Sequence, residues 1–410
     1  MNRNRLPSWI NRLIDLIADA PMSPLGRLAA RRLGRPAPRG SVPTTSFAEK
    51  PTRLLIAPVN YSGQAFAWAR ALEAADTGIS ARNMAFDVPG GFDFEADLLV
   101  PVGTYHNDPD WQRRQFEAAT RGTHVLIEAE EPPFGRLMGR SVEVQAQALI
   151  DHSVDVAYLA HGTDARLPSR HMREHPLSYY DDPAVYVPRA EQLAARNIAL
   201  LERSGRPVFV STPDLRSDLP DAFWCPVVVD PQRWAADARE ERPAGAPLRV
   251  AHAPSVAAYK GTPLIMPMLE QLQAEGLIEL DLIQGVPSTE MPARFAEADV
   301  VLDQFRTGSY GVAACEAMAA GCVVVGQVFE RVRADILAAT GLQLPVIEAS
   351  VGTLEVVLRR LIAAPDLSRE RARSVEFVSA VHDGRYSARV LQQHWVSRSA
   401  RKEGFDASGS

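Results

Sequence analysis

The sequence predicts two α/β domains, each built on a parallel β-sheet with helices on both faces. Three observations support this fold class. From residue 53 a pattern of apolar strand, polar turn and helix repeats along the chain. A segment rich in proline and charge interrupts the pattern at residues 237–247, and the same alternation resumes at residue 248. Alternating strands and helices are typical of parallel sheets, and 410 residues suffice for two domains of ordinary size.

The first predicted domain covers residues 51–234. It begins with the apolar run 54–57, the turn Asn60-Tyr61-Ser62-Gly63 and a helical stretch at 65–75. Strands are also predicted at 97–102, 124–128, 156–159, 207–211 and 226–229, and helices at 109–120, 141–150 and 189–204.

The second predicted domain covers residues 248–380. Its strands are expected at 248–252, 278–284, 300–302, 322–325 and 345–347, and its helices at 262–275, 290–297, 311–320, 351–363 and 367–380. Residues 381–410 are expected to form a C-terminal helix and a polar tail. Two such domains leave a cleft between them, and ligands of parallel sheets bind beyond the carboxyl ends of the strands.

The composition excludes several classes of protein. Hydrophobic residues make up 46% and charged residues 23% of the chain, which is ordinary for a globular protein. A net charge of -6 does not favour nucleic-acid binding, which depends on a basic surface. Three cysteines without a CxxC pair favour a reducing cytoplasm over a disulfide framework.

The first 50 residues are predicted to form a basic extension, with nine basic residues against three acidic ones. An apolar stripe at helical spacing runs through Trp9, Ile10, Leu13, Ile14 and Ile17. A basic amphipathic helix can bind the surface of an anionic membrane, here the inner face of the plasma membrane. The alternative is that the stripe packs on the body of the protein.

The second half contains the more informative motifs. The strand 248–252 leads through a loop with Ser255 to Lys260-Gly261-Thr262, where a helix begins. Lysine is rare in this chain, and a lysine beside a helix N-terminus suits a phosphate group. A tight turn at Gly285-Val286 follows the next strand.

A glycine-containing loop then runs through Arg306, Gly308, Tyr310 and Gly311 into a predicted helix. Glu316 lies in that helix among small apolar residues, within Glu-Ala-Met-Ala-Ala-Gly. A carboxylate in such surroundings is costly to bury unless it meets hydrogen-bond donors, and two sugar hydroxyls would serve.

Together these segments resemble the C-terminal half of GT-B glycosyltransferases, in particular the large retaining family 4 of bacterial polysaccharide and glycoconjugate synthesis. The resemblance is clear over residues 205–335 and implies two Rossmann-like domains that face each other across a cleft. It implies that Glu316 binds the ribose of a nucleotide-sugar donor, that Lys260 contacts the diphosphate in catalysis, and that the Gly285-Val286 turn lies near the base. Other donor contacts are expected at Ser255, Gly308, Tyr310 and Gly311.

The chain also departs from the family pattern. The first of the family's two glutamates would fall at Gly308, and no arginine precedes Lys260 in its loop, so we expect Arg306 to substitute. In the first half, His161-Gly162-Thr163-Asp164-Ala165-Arg166 resembles a His-Gly-Ser-Asp-x-Arg segment of some bacterial polysaccharide glycosyltransferases.

The acceptor side is expected in the first half. His161 is a candidate to contact the sugar or assist proton transfer, because its ordinary pKa lies near 6.5. Asp164 and Arg166 are expected to pair and hold their loop. Further acceptor contacts are expected at Ser62, Gly63 and Glu128, each close after a predicted strand.

The predicted activity is therefore transfer of a sugar from a nucleoside-diphosphate sugar to a glycan, a lipid-linked or a small-molecule acceptor. No cofactor and no metal is expected, and the Asp108-Pro109-Asp110 match to a metal-binding D-x-D is discounted because it belongs to a different architecture. Two alternatives remain: a nucleotide-sugar epimerase of the same architecture, and a binding protein that lacks turnover.

Overall fold

Two parallel β-sheets organise the chain, as the alternating sequence pattern predicts. The computed structural model describes residues 2–87, 94–235, 243, 245–364 and 366–397. Within these residues the first sheet has seven strands and the second has five, and every strand pair is parallel. The linker predicted at 237–247 and the polar tail lie largely outside the described residues.

The first sheet has the strand order β3-β2-β1-β4-β5-β6-β7. Its strands are β1 (Thr52–Ala57), β2 (Ile79–Asp87), β3 (Leu98–Pro101), β4 (His124–Glu128), β5 (Asp155–Ala160), β6 (Val208–Val210) and β7 (Phe223–Trp224). The order reverses between β1 and β4, so the crevice for a ligand opens beyond the ends of these two strands.

The next helices belong to the N-terminal extension and to the first domain. They are α1 (Ser8–Asp19), α2 (Pro24–Arg31), α3 (Gln64–Ala75), α4 (Val102–Asn107), α5 (Pro109–Ala119), α6 (Val142–Asp151), α7 (Pro168–Glu174) and α8 (Val187–Arg203). Short 3-10 turns lie at Arg3–Arg5, Tyr61–Gly63, Leu137–Arg140, Tyr179–Asp181 and Pro213–Ser217.

The second sheet has the order β12-β11-β10-β8-β9. Its strands are β8 (Leu248–His252), β9 (Ile278–Leu282), β10 (Val300–Leu302), β11 (Val323–Gly326) and β12 (Ile347–Glu348). The helices from residue 231 onward are α9 (Pro231–Trp234), α10 (Ala257–Lys260), α11 (Thr262–Ala274), α12 (Met291–Glu297), α13 (Val312–Ala319), α14 (Glu330–Thr340), α15 (Leu354–Ala363), α16 (Ser368–Val381) and α17 (Arg385–Leu391), after which Gln392–Val396 form a π-helical turn.

The central strands form because their apolar runs are buried on both faces. The residues of β4 and β10 are all buried, and layers of helices cover each sheet, as parallel sheets require. β2 was not predicted from the sequence because polar residues interrupt its apolar pattern. Asn83 is buried in β2, where its N–H donates to Asp97 and its side chain accepts the Asp97 N–H.

The strand predicted at 226–229 is wrong. This segment does not join the sheet and instead carries the chain from the first domain toward the second, while β7 lies just before it. Side chains replace the missing sheet partners: Trp68 Nε1 donates to the Pro226 carbonyl at 2.9 Å, and Gln64 bonds both backbone groups of Val228. Its valines are largely buried at this crossing, which accounts for their strand-like apolar pattern.

The chain crosses back to the first domain at its end. His382, between α16 and α17, donates from Nδ1 to the Val227 carbonyl at 2.7 Å, and its carbonyl accepts the Val229 N–H at 2.8 Å. Because Nδ1 carries the proton, Nε2 accepts the Tyr310 hydroxyl at 3.0 Å. Beyond α17, Trp395 packs into the core of the first domain, with its ring 5.1 Å from that of His124.

Candidate functional site

Two adjoining cavities lie in the cleft between the domains. One, of about 510 Å³, lies beyond the carboxyl ends of β8, β9 and β10. It is lined by seven residues that the sequence assigned to the donor or acceptor side, namely Ser62, Ser255, Lys260, Gly285, Val286, Gly311 and Glu316. The other cavity, of about 440 Å³, shares Glu316 and Ser62 with the first and adds Gly63. The fold therefore gathers most of the predicted residues.

Lys260 is presented to the cavity by a one-turn helix and a left-handed glycine. Gly261 has φ of +83°, which ends α10 and lets α11 begin in a new direction at Thr262. The backbone carbonyl of Lys260 accepts the N–H of Phe305 at 3.0 Å, which ties the loop to the end of β10. The lysine side chain is thereby held at the cavity wall and is largely buried.

Asp303 is the partner that sequence reasoning missed. Lys260 Nζ donates to Asp303 Oδ1 at 2.7 Å, and the other carboxylate oxygen accepts the Gly311 N–H at 3.1 Å. Asp303 thus connects the lysine to the residue before α13. Its position just after β10 was the available signal, since that is where ligand-side residues of parallel sheets lie.

Glu316 lies on α13 with its carboxyl group in the shared part of the two cavities. Burial raises the pKa of Glu316 to about 7, although the charges of Lys260 and Arg233 act in the opposite direction. The first N–H groups of α13 belong to Val312 and Ala313, which also line the 510 Å³ cavity. Helix N-termini favour anions. This wall therefore combines the charge of Lys260 and the N-terminus of α13 with one titratable carboxyl group.

His161 meets Glu128 in the first domain, and neither residue lines either of the two cavities. Its Nε2 lies 3.0 Å from Glu128 Oε1, and the two residues follow or end the neighbouring strands β5 and β4. Burial raises the pKa of Glu128, and the hydrogen bond from His161 opposes that rise. Tyr61 contacts the imidazole edge-on with ring centroids 5.1 Å apart. The histidine is therefore oriented by a carboxylate, as a proton-transferring histidine requires.

Glu130 is a further buried carboxyl group beside this pair. Both of its oxygens lack a hydrogen-bond partner within the described residues, and burial raises its pKa well above the ordinary value. Ala129 and Glu130 adopt φ values of +53° and +50°, which only a minority of non-glycine residues do. The turn after β4 therefore buries a carboxyl group whose pKa is raised by its loss of contact with water.

The expected pairing of Asp164 with Arg166 is wrong. Asp164 accepts the backbone N–H groups of His161 and Gly162, so it shapes the turn that presents the histidine. Arg166 is buried and donates instead to Asp214, with Nη2 to Oδ2 at 2.6 Å. Burial acts to raise the pKa of the Asp214 carboxyl, but the charge and hydrogen bonds of Arg166 outweigh it and hold that pKa below the ordinary value.

Three expected donor residues lie outside the 510 Å³ cavity. Gly308 has φ of +74° and is packed against Phe329, where an added Cβ would come within 2.2 Å of the ring. Tyr310 is buried and hydrogen-bonded to His382. Arg306 makes hydrogen bonds and an ion pair at the junction between the two domains. This corrects the expectation that it compensates the charge of the diphosphate. These three residues shape the loop behind the cavity wall.

Arg306 acts as the main polar bridge between the two domains. Its guanidinium donates to the carbonyls of Leu177 at 3.0 Å, Ser178 at 2.6 Å and Ala258 at 3.0 Å, and it pairs with Asp182 at 3.1 Å. Ala258 belongs to α10, the helix that ends at Lys260. Arg306 therefore fixes the lysine loop against the first domain.

Replacing Arg306 by alanine is expected to destabilise the protein by about 2–4 kcal/mol, because three carbonyls and Asp182 lose a charged donor. Urea unfolding measures the change. Arg331→Ala is the matched control, since its pair with Glu174 also crosses between the domains but is partly exposed and should contribute about 0–1 kcal/mol. Equal effects of both substitutions would contradict the bridging role.

The D-x-D match has a structural role. Asp108 is the N-cap of α5 and accepts the N–H groups of Asp110 and Trp111, both at 3.0 Å. Asp110 pairs with Arg113. Across the described parts of the chain, no group of three His, Cys, Asp or Glu side chains is arranged to hold a metal ion.

Comparisons with solved structures identify the architecture as GT-B. A sucrose-phosphate synthase from Thermosynechococcus elongatus aligns with a TM-score of 0.53 and 12% identity, over 86% of this chain and 100% of that one. The N-terminal domain of a Candida albicans trehalose-6-phosphate phosphatase aligns with a TM-score of 0.51 and 8% identity, over 86% and 98%. A glycosyltransferase from Rickettsia africae aligns with a TM-score of 0.50 and 11% identity, over 85% and 98%.

These identities establish the fold and not the reaction. No protein-family model matches the sequence, and no curated protein sequence matches it either. The predicted fold of two parallel-sheet domains across a cleft is confirmed.

Proposed function

We propose that this protein is a cytoplasmic glycosyltransferase that moves a sugar from a nucleoside-diphosphate sugar to a hydroxyl of a glycan, lipid-linked or small-molecule acceptor. The observation that carries the proposal is the 510 Å³ cavity, in which Lys260, the start of α13 and Glu316 face Ser62 of the first domain. This wall offers a cation, helix amides and a carboxyl group, which together match a diphosphate joined to a ribose.

The donor is held by the second domain. The carboxylate of Glu316 accepts the ribose hydroxyls, and the base lies at the Gly285-Val286 turn, where backbone groups are accessible at the end of β9. The diphosphate lies between Lys260 and the first N–H groups of α13. Ser255 lies in the same loop as Lys260 and contributes a hydroxyl to this wall.

The chemistry requires stabilisation of the leaving group above all. The bond between the anomeric carbon and the diphosphate oxygen breaks, the acceptor oxygen bonds to that carbon, and the acceptor proton leaves with the departing diphosphate. Negative charge grows on the diphosphate during this step, so Lys260 and α13 interact more strongly with the transition state than with the bound donor. We propose retention of configuration, as in the family that the motifs resemble, which needs no strong protein base.

His161 and Glu128 are proposed to act on the sugar and the acceptor from the first domain. His161→Asn and Glu128→Gln are each expected to lower kcat about 10- to 1000-fold while changing the Kd for the nucleoside diphosphate less than twofold. His152→Asn is the control, because that histidine is exposed just after the last residue of α6 and is not part of the proposed site. A wild-type kcat in both dyad variants would remove the pair from the mechanism.

One experiment separates the proposal from its two alternatives. Thermal-shift screening with UDP-, GDP- and dTDP-sugars first identifies the donor, and the stabilising donor is then incubated with the enzyme without and with candidate acceptors. A glycosyltransferase forms a glycosylated product only when the acceptor is present. Conversion of the donor alone into its epimer would indicate an epimerase, and binding without any conversion would indicate a protein that has lost turnover.

The proposed mechanism places the charge compensation on Lys260 and α13, whereas Asp108 caps α5 and Asp110 pairs with Arg113. Activity is therefore expected to survive EDTA with less than a twofold change. Loss of activity in EDTA with recovery on addition of manganese or magnesium would contradict this expectation and require a metal in the reaction.

A further inference from the structure

The N-terminal extension presents its apolar side chains outward. The sequence alone left open whether its stripe packs on the body of the protein. Ile10, Ile14 and Ile17 are half-buried, whereas Trp9 and Leu13 remain 63% and 48% exposed. Of the seventeen large apolar side chains that are exposed among the described residues, six lie between residues 9 and 33. This concentration is far above what the rest of the surface shows.

We call the exposed apolar side chains and exposed arginines of the extension together the N-terminal surface. It consists of the apolar residues Trp9, Leu13, Leu16, Leu25, Leu28 and Leu33 together with the exposed arginines Arg5, Arg12, Arg27, Arg31, Arg32 and Arg35. Trp9, Leu13 and Leu16 follow the i, i+4, i+7 spacing of one helix face, and Leu25 and Leu28 follow the i, i+3 spacing.

Polar groups hold the extension on the first domain. Within the extension, the buried Asn11 bonds to the backbone of Arg3. Asp19 pairs with Arg189 of α8 in the first domain at 2.8 Å. The Asn4 amide donates to the Pro183 carbonyl at 2.8 Å, and Asn107 donates to the Ala30 carbonyl at 2.9 Å. The helices are thus fixed to the body without burying the N-terminal surface.

In the N-terminal extension the acidic side chains of α1 are in ion pairs, whereas most of the arginines pair with none of the residues that the structure describes. Both aspartates of α1 are used in ion pairs, Asp15 with Arg3 at 2.9 Å and Asp19 with Arg189. The six arginines of the N-terminal surface have no ion-pair partner among the described residues. An outward surface that combines a tryptophan, leucines and unpaired arginines is complementary to the headgroup region of an anionic bilayer.

We infer that the N-terminal surface binds a bilayer that carries anionic lipids. The described residues contain no helix that is long and apolar enough to cross a membrane, so this binding lies in the plane of the headgroups. The extension is anchored at Pro183, next to Asp182, which holds Arg306 at the domain junction. A bilayer that contacts the extension would therefore lie on the side of the molecule where Asp182 and Arg306 join the two domains.

Co-sedimentation of the full chain with vesicles tests the inference. Vesicles of phosphatidylcholine with phosphatidylglycerol should pellet the protein at low salt, and vesicles of phosphatidylcholine alone should not. Binding should fall by at least tenfold when the salt is raised, because screening shortens the range of the arginine charges. A wild-type protein that stays in the supernatant with anionic vesicles, while remaining monomeric, would overturn the inference.

Two sets of variants separate the apolar and the charged contributions. Trp9→Ser, Leu13→Ser and Leu16→Ser combined should weaken binding by tenfold or more, and Arg27→Gln, Arg31→Gln and Arg32→Gln combined by roughly fivefold for each arginine. The matched controls change equally exposed residues elsewhere: Leu337→Ser, Val356→Ser and Val375→Ser for the first set, and Arg360→Gln, Arg369→Gln and Arg373→Gln for the second. The controls should bind as the wild type does.

Light scattering and donor binding complete the test. If the wild type is a dimer that does not bind vesicles, and the serine set makes it a monomer, the N-terminal surface is a protein interface and the inference is wrong. The Kd for the nucleoside diphosphate should be the same in the wild type and in the serine set. Failure to bind membranes thus leaves the proposed enzymatic activity unaffected, and absence of donor binding leaves the vesicle result unaffected.

Discussion

Replacing Lys260 by glutamine is expected to lower kcat about 100- to 1000-fold at saturating donor. The ammonium group lies at the wall where charge develops on the departing diphosphate, and loss of one such preorganised donor typically costs this much. The substitution also leaves Asp303 buried without its cation, so the free energy of unfolding should fall by about 3–5 kcal/mol. Turnover and urea unfolding measure the two effects separately.

A double variant distinguishes catalysis from stability. Combining Lys260→Gln with Asp303→Asn removes both charges of the buried pair and should restore most of the lost stability. It should not restore kcat, because the cation that faces the leaving group is still absent. If the double variant regained turnover together with stability, the lysine would be a structural residue only.

Glu316→Gln is expected to weaken binding of the nucleoside diphosphate roughly 5- to 150-fold, which corresponds to about 1–3 kcal/mol for a charged hydrogen-bond acceptor. Because burial raises the Glu316 pKa to about 7, the free enzyme carries both protonation states at neutral pH. The carboxylate accepts ribose hydroxyls better than the acid, so the wild-type affinity should rise as the pH increases through 7. Calorimetry with a nucleoside-diphosphate sugar, whose diphosphate does not titrate in this pH range, should show no such rise in the glutamine variant.

A nucleotide without the ribose hydroxyls provides the control for this prediction. A 2′,3′-dideoxynucleoside-diphosphate sugar should bind the wild type and Glu316→Gln with the same Kd and without the pH dependence. If the ribose nucleotide also bound both proteins equally, Glu316 would not be the ribose contact.

The free energy of unfolding of the ligand-free protein should respond to the same group in the opposite sense. Glu316 has a pKa above its value in the unfolded chain, so the folded state binds more protons between about pH 4.5 and 7. Its contribution to stability is therefore present at low pH and is lost as the pH rises through 7.

The sequence predicted the parts of the fold that rest on local pattern. Strands such as β4 and β8 were located from their apolar runs, because burial on both faces leaves few polar interruptions. β2 was not found, since its buried Ser80 and Asn83 are satisfied by partners 32 and 14 residues away. Such long-range hydrogen bonds leave no local signal.

In the candidate site, too, the residues set by local sequence pattern could be predicted and those set by long-range contacts could not. Lys260, Glu316 and the Gly285-Val286 turn could be placed because each follows a strand or begins a helix, and the sheet brings such positions together. The partner of Lys260 could not be identified, because Asp303 is 43 residues away and its carboxylate direction depends on the register of β10. Arg306 was misplaced for a related reason: its partners lie in the other domain.

The hydrogen bond between Val229 and His382 makes the second domain an insertion whose two ends are neighbours. The chain leaves the first domain at Val229 and returns at His382, and the two residues are joined at 2.8 Å. A domain whose two ends are adjacent can be exchanged as a unit without distorting the domain into which it is inserted. The half that carries Lys260 and Glu316 can therefore diverge, or be replaced by a related one, while the half that carries His161 and the N-terminal extension keeps its structure.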